Sequence, residues 1–442
     1  MPSEAVPGRV QAELCSSPRS GEALSPLDSL LRQCVHCGMC ISACPTYTLF
    51  GTEMDNPRGR LALLRAATGS RVPVDGVYEE HIERCLGCMA CFPSCPSGVA
   101  FPDLLAHARA LASQDRTEGV VERTLYYLAL RQLFPHRERL RFFALLLTLY
   151  QASGLQWLVR RFSLLPSSLQ TAEALLPPWP FTLPTRGSVR SEPPGTRGRI
   201  GLFVGCIQEA FLGRVNQATV RVLEHNGYEV VIPRNQTCCG GLHTHRGERK
   251  LAAELAKQNI AAFIEADVEA IVVNAGGCGA ALEEYPELLN GSDRQQAEEF
   301  RDCLRDVSEF LMERGVALPE GRLPIRATYA DSCHLRNIQG IVQPPRDLIR
   351  SIPCLEYREL DHPDQCCGSA GIYNILQPDI SRQLLEAKVT DIAATGADVV
   401  VVANPGCHMQ IASGIRQAGL DIRVLHLVEL LDEAYAAEGT KR

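Results

Sequence analysis

Two short runs constrain this chain more than anything else in it. "CVHCGMCISACP" places Cys34, Cys37, Cys40 and Cys44 at offsets of three, three and four residues and closes on Pro45. "CLGCMACFPSCP" repeats those offsets with Cys85, Cys88, Cys91, Cys95 and Pro96. Three cysteines spaced C-x-x-C-x-x-C on a tight loop can reach three irons of a cubane. In the C-x2-C-x2-C-x3-C-P pattern the fourth cysteine serves the other cluster of a pair, and the proline turns the chain away. The two runs therefore complete each other. Cys34, Cys37, Cys40 and Cys95 are assigned to one 4Fe-4S cluster, and Cys85, Cys88, Cys91 and Cys44 to a second. Structural zinc also takes four thiolates, but its sites commonly use separated C-x-x-C pairs rather than triplets followed by C-P.

At 442 residues the chain has room for two or three domains. A net charge of -7 argues against a nucleic-acid partner. Residues 1–28, rich in Ser, Pro and Glu, read as a disordered tail without the apolar core of a signal peptide. Nineteen cysteines in a chain expected to stay in a reducing cytoplasm point to metal or redox chemistry rather than disulfides. The stretch "RFFALLLTLYQASGLQWLVRR", Arg141 to Arg161, is apolar between basic flanks. It is more interrupted than the roughly 20 apolar residues of a spanning helix, so it reads as a helix packed on the protein, on a partner subunit or on a membrane surface.

Residues 29–113 hold both cysteine runs, with helical patterns such as "RGRLALLRAA" between them and "FPDLLAHARALAS" after them. "NPRGR" should cap and start a helix at Pro57, with Arg58 and Arg60 either solvated or near a cluster. His36 lies inside the first loop and reads as a residue that tunes a cluster rather than a ligand. Residues 114–198 read as a helical segment ending in a Pro-rich linker. Beyond it the text turns to strands alternating with helices, and it repeats. Strands are expected to end at Cys206, Cys278, Cys333 and Cys407. "QTCCG" at Cys238 and Cys239 parallels "DQCCG" at Cys366 and Cys367. Equivalent cysteines lie 127 to 129 residues apart, which marks an internal duplication over 199–325 and 326–442. The expected fold is α+β and multidomain: an N-terminal all-helical ferredoxin-like domain with two 4Fe-4S clusters, then a duplicated α/β domain with parallel sheets. Whether the two cysteine sets meet at one shared site or form two is open at this point.

The adjacent cysteines before glycine, with one cysteine upstream and one after a strand downstream, resemble the CCG domain of heterodisulfide reductases and related dehydrogenase subunits. The order of two ferredoxin motifs and two CCG domains resembles the iron-sulfur subunit of glycolate oxidase. So do "FVGCIQEAF", "CCGGLHTHRGE", "NAGGCGAALEEY", "DSCHLRNIQG", "CCGSAGIYNILQP" and "NPGCHMQIASG". The interval between the two cysteine runs resembles the all-helical ferredoxin domain of succinate dehydrogenase and fumarate reductase iron-sulfur subunits.

The resemblance implies an electron-transfer subunit served by separate FAD-binding glycolate oxidase subunits that oxidise glycolate to glyoxylate. Electrons would pass toward a quinone or another membrane acceptor, with the protein cytoplasmic and peripheral at the inner face of the cell membrane. The chain alone should not oxidise glycolate. Alternatives are a lactate or glycerol 3-phosphate dehydrogenase subunit, a heterodisulfide-reductase-like enzyme, or a metal-stabilised scaffold. The fuller CCG pattern has a fifth cysteine where this chain has Ala281 and Gln410, which weakens the disulfide reading. Cys206, Cys238, Cys239, Cys278, Cys333, Cys366, Cys367 and Cys407 either hold a further cluster or remain a thiol or zinc set. His243, His245, His334 and His408 read as hydrogen-bonded neighbours of these motifs. Cys15, Cys303 and Cys354 fall outside both patterns.

Overall fold

Prolines and caps lay out the first region. Pro45 and Pro57 take the first helical turn, where a missing N–H costs nothing. Cys44 caps helix Pro45–Phe50, and the Asn56 side chain accepts from the Gly59 N–H at 2.9 Å to start helix Pro57–Thr68, as the sequence leads one to expect. The computed structural model describes residues 26–114, 128–162, 164–178, 182–185, 187 and 197–438. Helices Pro26–Arg32, Gly76–Glu83 and Phe101–Gln114 complete an all-helical region, whose inward Leu64, Ile82 and Leu104 form a core against Cys85 and Cys91. Residues 26–28, read above as the end of the tail, instead open the first helix. The rest of that tail, with Cys15, lies outside the described residues.

The apolar stretch forms helices Arg137–Ala152 and Leu155–Arg161, bent by 73° at a break containing Gly154. Leu140 and Ala144 are buried, but Phe142, Phe143, Leu146, Leu149, Trp157, Leu158 and Phe162 are exposed. Packing on the protein thus accounts for one narrow face only. Among the described residues no single helix is long and apolar enough to cross a membrane.

Each half of the remainder is a four-stranded, all-parallel sheet. In the first, β1 (Gly198–Phe203), β2 (Tyr228–Val231), β3 (Ala270–Val273) and β4 (Leu304–Asp306) lie in the order β2-β1-β3-β4. In the second, β5 (Arg326–Tyr329), β6 (Glu356–Tyr357), β7 (Val399–Val402) and β8 (Arg423–His426) lie in the order β6-β5-β7-β8. The continuous valines of β7 suit a strand covered on both faces. In both sheets the order reverses beside the first strand, which opens a crevice at the carboxyl ends of β1 and β3 and of β5 and β7.

The two halves share one core, in which Val215, Val222 and Leu223 of helix Gly213–His225 join Leu427, Leu430 and Leu431 of helix Leu427–Glu438. Arg221 holds Asp432 across this seam through hydrogen bonds of 2.6 to 3.2 Å. The Gly276 N–H donates to the Ala403 carbonyl at 2.9 Å, and a Cβ at Gly276 would lie 2.7 Å from Ser332 Oγ. A glycine is therefore required where the halves approach most closely.

Candidate metal centres

The two ferredoxin loops have the same backbone. His36 and Gly38 have φ of +58° and +84°, and Gly87 and Met89, at the equivalent positions, have +66° and +57°. Equivalent hydrogen bonds follow: Ile41 N–H to Gly38 O and Phe92 N–H to Met89 O, both at 3.0 Å. Left-handed residues alternating with right-handed ones turn backbone N–H groups inward into a concavity that favours anions, and iron-sulfur sites use such nests. His36 is thus foremost a backbone position. Its ring lies 3.4 Å from Arg65 Nη1.

The loops exchange their fourth cysteines in space as the pattern requires. Cys34, Cys37, Cys40 and Cys95 line one small cavity, together with Arg58. Cys91 stands with Cys88, Cys85 and Cys44, and burial, then these thiols, push its own thiol well up. Arg60 reaches the Cys44 Sγ at 3.9 Å and the Thr46 hydroxyl at 3.1 Å, while Arg109 donates to the Cys85 carbonyl at 2.7 Å.

In the duplicated half the structure corrects the expected strand ends. β1, β3, β5 and β7 stop three to five residues before their cysteines. Cys206 and Cys333 instead begin helices Cys206–Phe211 and Cys333–Asn337. Cys278 and Cys407 sit at the third position of helices Gly276–Glu283 and Pro405–Gln417. In helix Gly276–Glu283 the first-turn N–H groups are already taken, that of Gly276 by the Ala403 carbonyl, that of Gly277 by Asn404 Oδ1 and that of Cys278 by the Ala275 carbonyl.

Two separate quartets result, not one shared site. Cys206 Sγ lies 3.5 Å from Cys238 Sγ. Hydrogen bonds from the Cys238 and Cys278 thiols hold Cys239 well below its ordinary value, against its burial. Cys333, Cys366, Cys367 and Cys407 form the equivalent chain, in which the hydrogen bond with Cys366 and then burial push Cys333 up. Buried thiols resist becoming four charges at once, so a quartet of this kind suits a cationic iron core. Among the described residues no three His, Cys, Asp or Glu side chains close on a point where one metal ion would sit.

The fifth positions of the fuller pattern are filled by packing. Ala281 would lie 3.1 Å from a Cβ added at Gly241, and Gln410 exchanges hydrogen bonds of 2.9 Å with Asn374 and Ser381. The neighbouring histidines are also committed. His243 bonds the Leu130 carbonyl at 2.8 Å, and burial holds His408, beside Arg214, down at about 3. Cys303 and Cys354 lie outside the quartets, the latter 3.2 Å from Arg322.

The sequence did not foretell how the sets adjoin. Asn337 donates to the Cys88 carbonyl at 2.9 Å, the Tyr373 hydroxyl to the Arg84 carbonyl at 2.9 Å, and Leu86 packs with Cys366 and Tyr373. His334 Nδ1 is 3.5 Å from Cys333 Sγ, and its ring lies 5.6 Å from that of His245. The second ferredoxin loop is therefore seated on the second CCG half, with this histidine pair between the halves.

Known families divide the chain in the same way. Residues 30–99 match the 4Fe-4S dicluster domain, 121–176 the linker region of the glycolate oxidase iron-sulfur subunit, and 200–283 and 327–412 the cysteine-rich domain. A probable glycolate oxidase iron-sulfur subunit of Bacillus subtilis is 42% identical, over 91% of this chain and 94% of its own. The glycolate oxidase iron-sulfur subunit of Escherichia coli is 32% identical over 97% and 100%. Lactate utilization protein A of an Exiguobacterium species is 33% identical over 53% and 97%.

Proposed function

Since this chain belongs to the glycolate oxidase iron-sulfur subunit family, we propose that it accepts electrons one at a time from an FAD-bearing partner that oxidises glycolate to glyoxylate, and passes them toward a quinone or another membrane acceptor. When bound, 4Fe-4S clusters supply one-electron steps with little rearrangement. Cys34, Cys37, Cys40 and Cys95 hold the first, and Cys85, Cys88, Cys91 and Cys44 the second. The observation that carries this reading is the adjacency of the sets. Leu86 and Cys88 of the second ferredoxin loop pack in one cluster with Cys366, and Asn337 of the second half donates to the Cys88 carbonyl at 2.9 Å.

On this reading the CCG quartets hold further clusters and extend the relay. Iron and acid-labile sulfide per anaerobically purified chain test this, joined to EPR. Clearly more than the about eight irons of two cubanes is expected, with a signal lost in Cys239→Ala or Cys367→Ala. A count of eight, unchanged in those variants, would leave the quartets outside the electron path. The interactions of Ala281 and Gln410 favour this role over cleavage of a disulfide.

The protein sits at the inner face of the membrane through the bent helix pair. Ten of the twenty exposed large apolar side chains among the described residues fall between Phe142 and Leu169, with exposed Arg139 just before them and exposed Arg160 and Arg161 among them. Such a surface suits the headgroup boundary, with about 1 kcal/mol from each basic residue near anionic lipid. Flotation of the wild type with anionic vesicles, lost in Trp157→Glu/Phe162→Glu, is the expected result. Equal flotation of the two would place the membrane contact elsewhere.

A further inference from the structure

Cys37 is the one exposed thiol among the sixteen of the four sets; the others are buried or half-buried. The loop that carries it ends in an apolar tip, with Val35 66% and Met39 59% exposed. These are unusual choices for a water-facing loop, and no packing requires them. The surroundings are basic. Arg32 is exposed on the preceding helix, and Arg65 lies against His36. Arg58 bonds the His36 carbonyl at 3.3 Å while paired with Glu53 at 2.7 Å. The second ferredoxin loop has no such freedom, because Asn337, Tyr373 and the pocket around Leu86 cover it.

We propose that the Val35–Met39 tip is the port at which the flavin-bearing partner docks and delivers electrons, through an apolar centre with an acidic rim on the partner's side. This rests on the reading of that partner as the donor. Electron transfer weakens steeply with distance, so exchange between proteins needs a cluster edge that a partner can touch. An apolar centre excludes water, and opposite charge around it speeds and orients encounter. A cluster held by Cys34, Cys37, Cys40 and Cys95 would take the two electrons of the reduced flavin one at a time, the flavin being oxidised and its protons leaving on the partner.

The test is anaerobic stopped-flow of the full, cluster-replete chain with the flavin subunit reduced by glycolate. Val35→Glu/Met39→Glu should slow cluster reduction about 10-fold or more, the effect of losing one strong interface contact. Iron content, EPR and reduction by dithionite should stay as in the wild type. Arg32→Glu should weaken the salt dependence of the rate. Met312→Glu, an exposed apolar residue elsewhere, should change nothing. If the glutamates disturb the cluster, Val35→Ser/Met39→Gln gives the same comparison with a milder change. A wild-type rate in a cluster-replete tip variant overturns the port alone. A wild-type chain that glycolate-reduced flavin cannot reduce overturns the donor assignment, and the port with it.

Discussion

Cys88→Ser is expected to stop glycolate-driven electron transfer through the chain and to remove about four irons per chain, while Cys303→Ser leaves both unchanged. Cys88 belongs to the inner ferredoxin set, and its main-chain carbonyl accepts from Asn337 of the second CCG half. The thiol is thus at the junction through which the first set reaches the rest. Its loss should exceed the roughly 10–100-fold cost typical of an outer-shell partner. Cys303 caps helix Gly291–Asp302, belongs to none of the four sets, and serves as the control. Iron analysis, EPR and dye reduction driven by glycolate check both variants. Equal damage would mean that the ligands are misassigned.

A second large effect is expected at Asp55, which is fully buried. Its carboxylate lies 3.0 Å from His81 Nδ1, 3.1 Å from Arg84 Nη1 and 3.7 Å from Arg60, and accepts from the Thr52 hydroxyl at 2.6 Å. Arg60 is 2% exposed, so Asp55→Ala strands a guanidinium in the interior beside Cys44. Breaking a buried pair this way costs about 3–5 kcal/mol. That corresponds to a fall in Tm of roughly 6–20 °C for a cooperative unit of about 150–250 residues. Loss of the second cluster should accompany it, and thermal melting followed at the cluster's visible absorbance measures both.

The sign of the pH dependence follows from the same contacts. Burial acts to raise the Asp55 carboxyl, but hydrogen bonds from His81 and Thr52 and the charge of Arg84 hold it below its ordinary 3.8. Its stabilisation is present above that value and is lost as pH falls through the lower, folded one. Melting should therefore weaken in acid below about pH 4, and less steeply in Asp55→Asn.

Much of this was legible in the residues. The C-x2-C-x2-C-x3-C-P spacing dictates a mutual exchange of fourth cysteines, and the cavity lined by Cys34, Cys37, Cys40 and Cys95 has that form. The repeat offsets showed the duplication, and runs such as "VVVV" the buried parallel strands. Other features lay beyond local pattern. Nothing near Cys206 or Cys278 says that the strand stops early and the thiol enters a helix's first turn, because "GC" continues an apolar strand as readily as it caps a helix. The separation of the quartets depends on how two sheets pack, through contacts such as Gly276 to Ala403 that are 127 residues apart. The roles of Asn337 and Tyr373 are equally distant from the loop they support.

The seam between the CCG halves bears on how the protein is made. Two repeats in the text share one core in the folded chain: helix Gly213–His225 packs on its own sheet through Tyr228 and Val230, and Leu427–Glu438, more than two hundred residues later, completes its apolar cover. A first half made ahead of the second leaves part of that apolar face uncovered until helix Leu427–Glu438 packs on it. The two halves therefore complete each other's packing, and neither buries this seam alone.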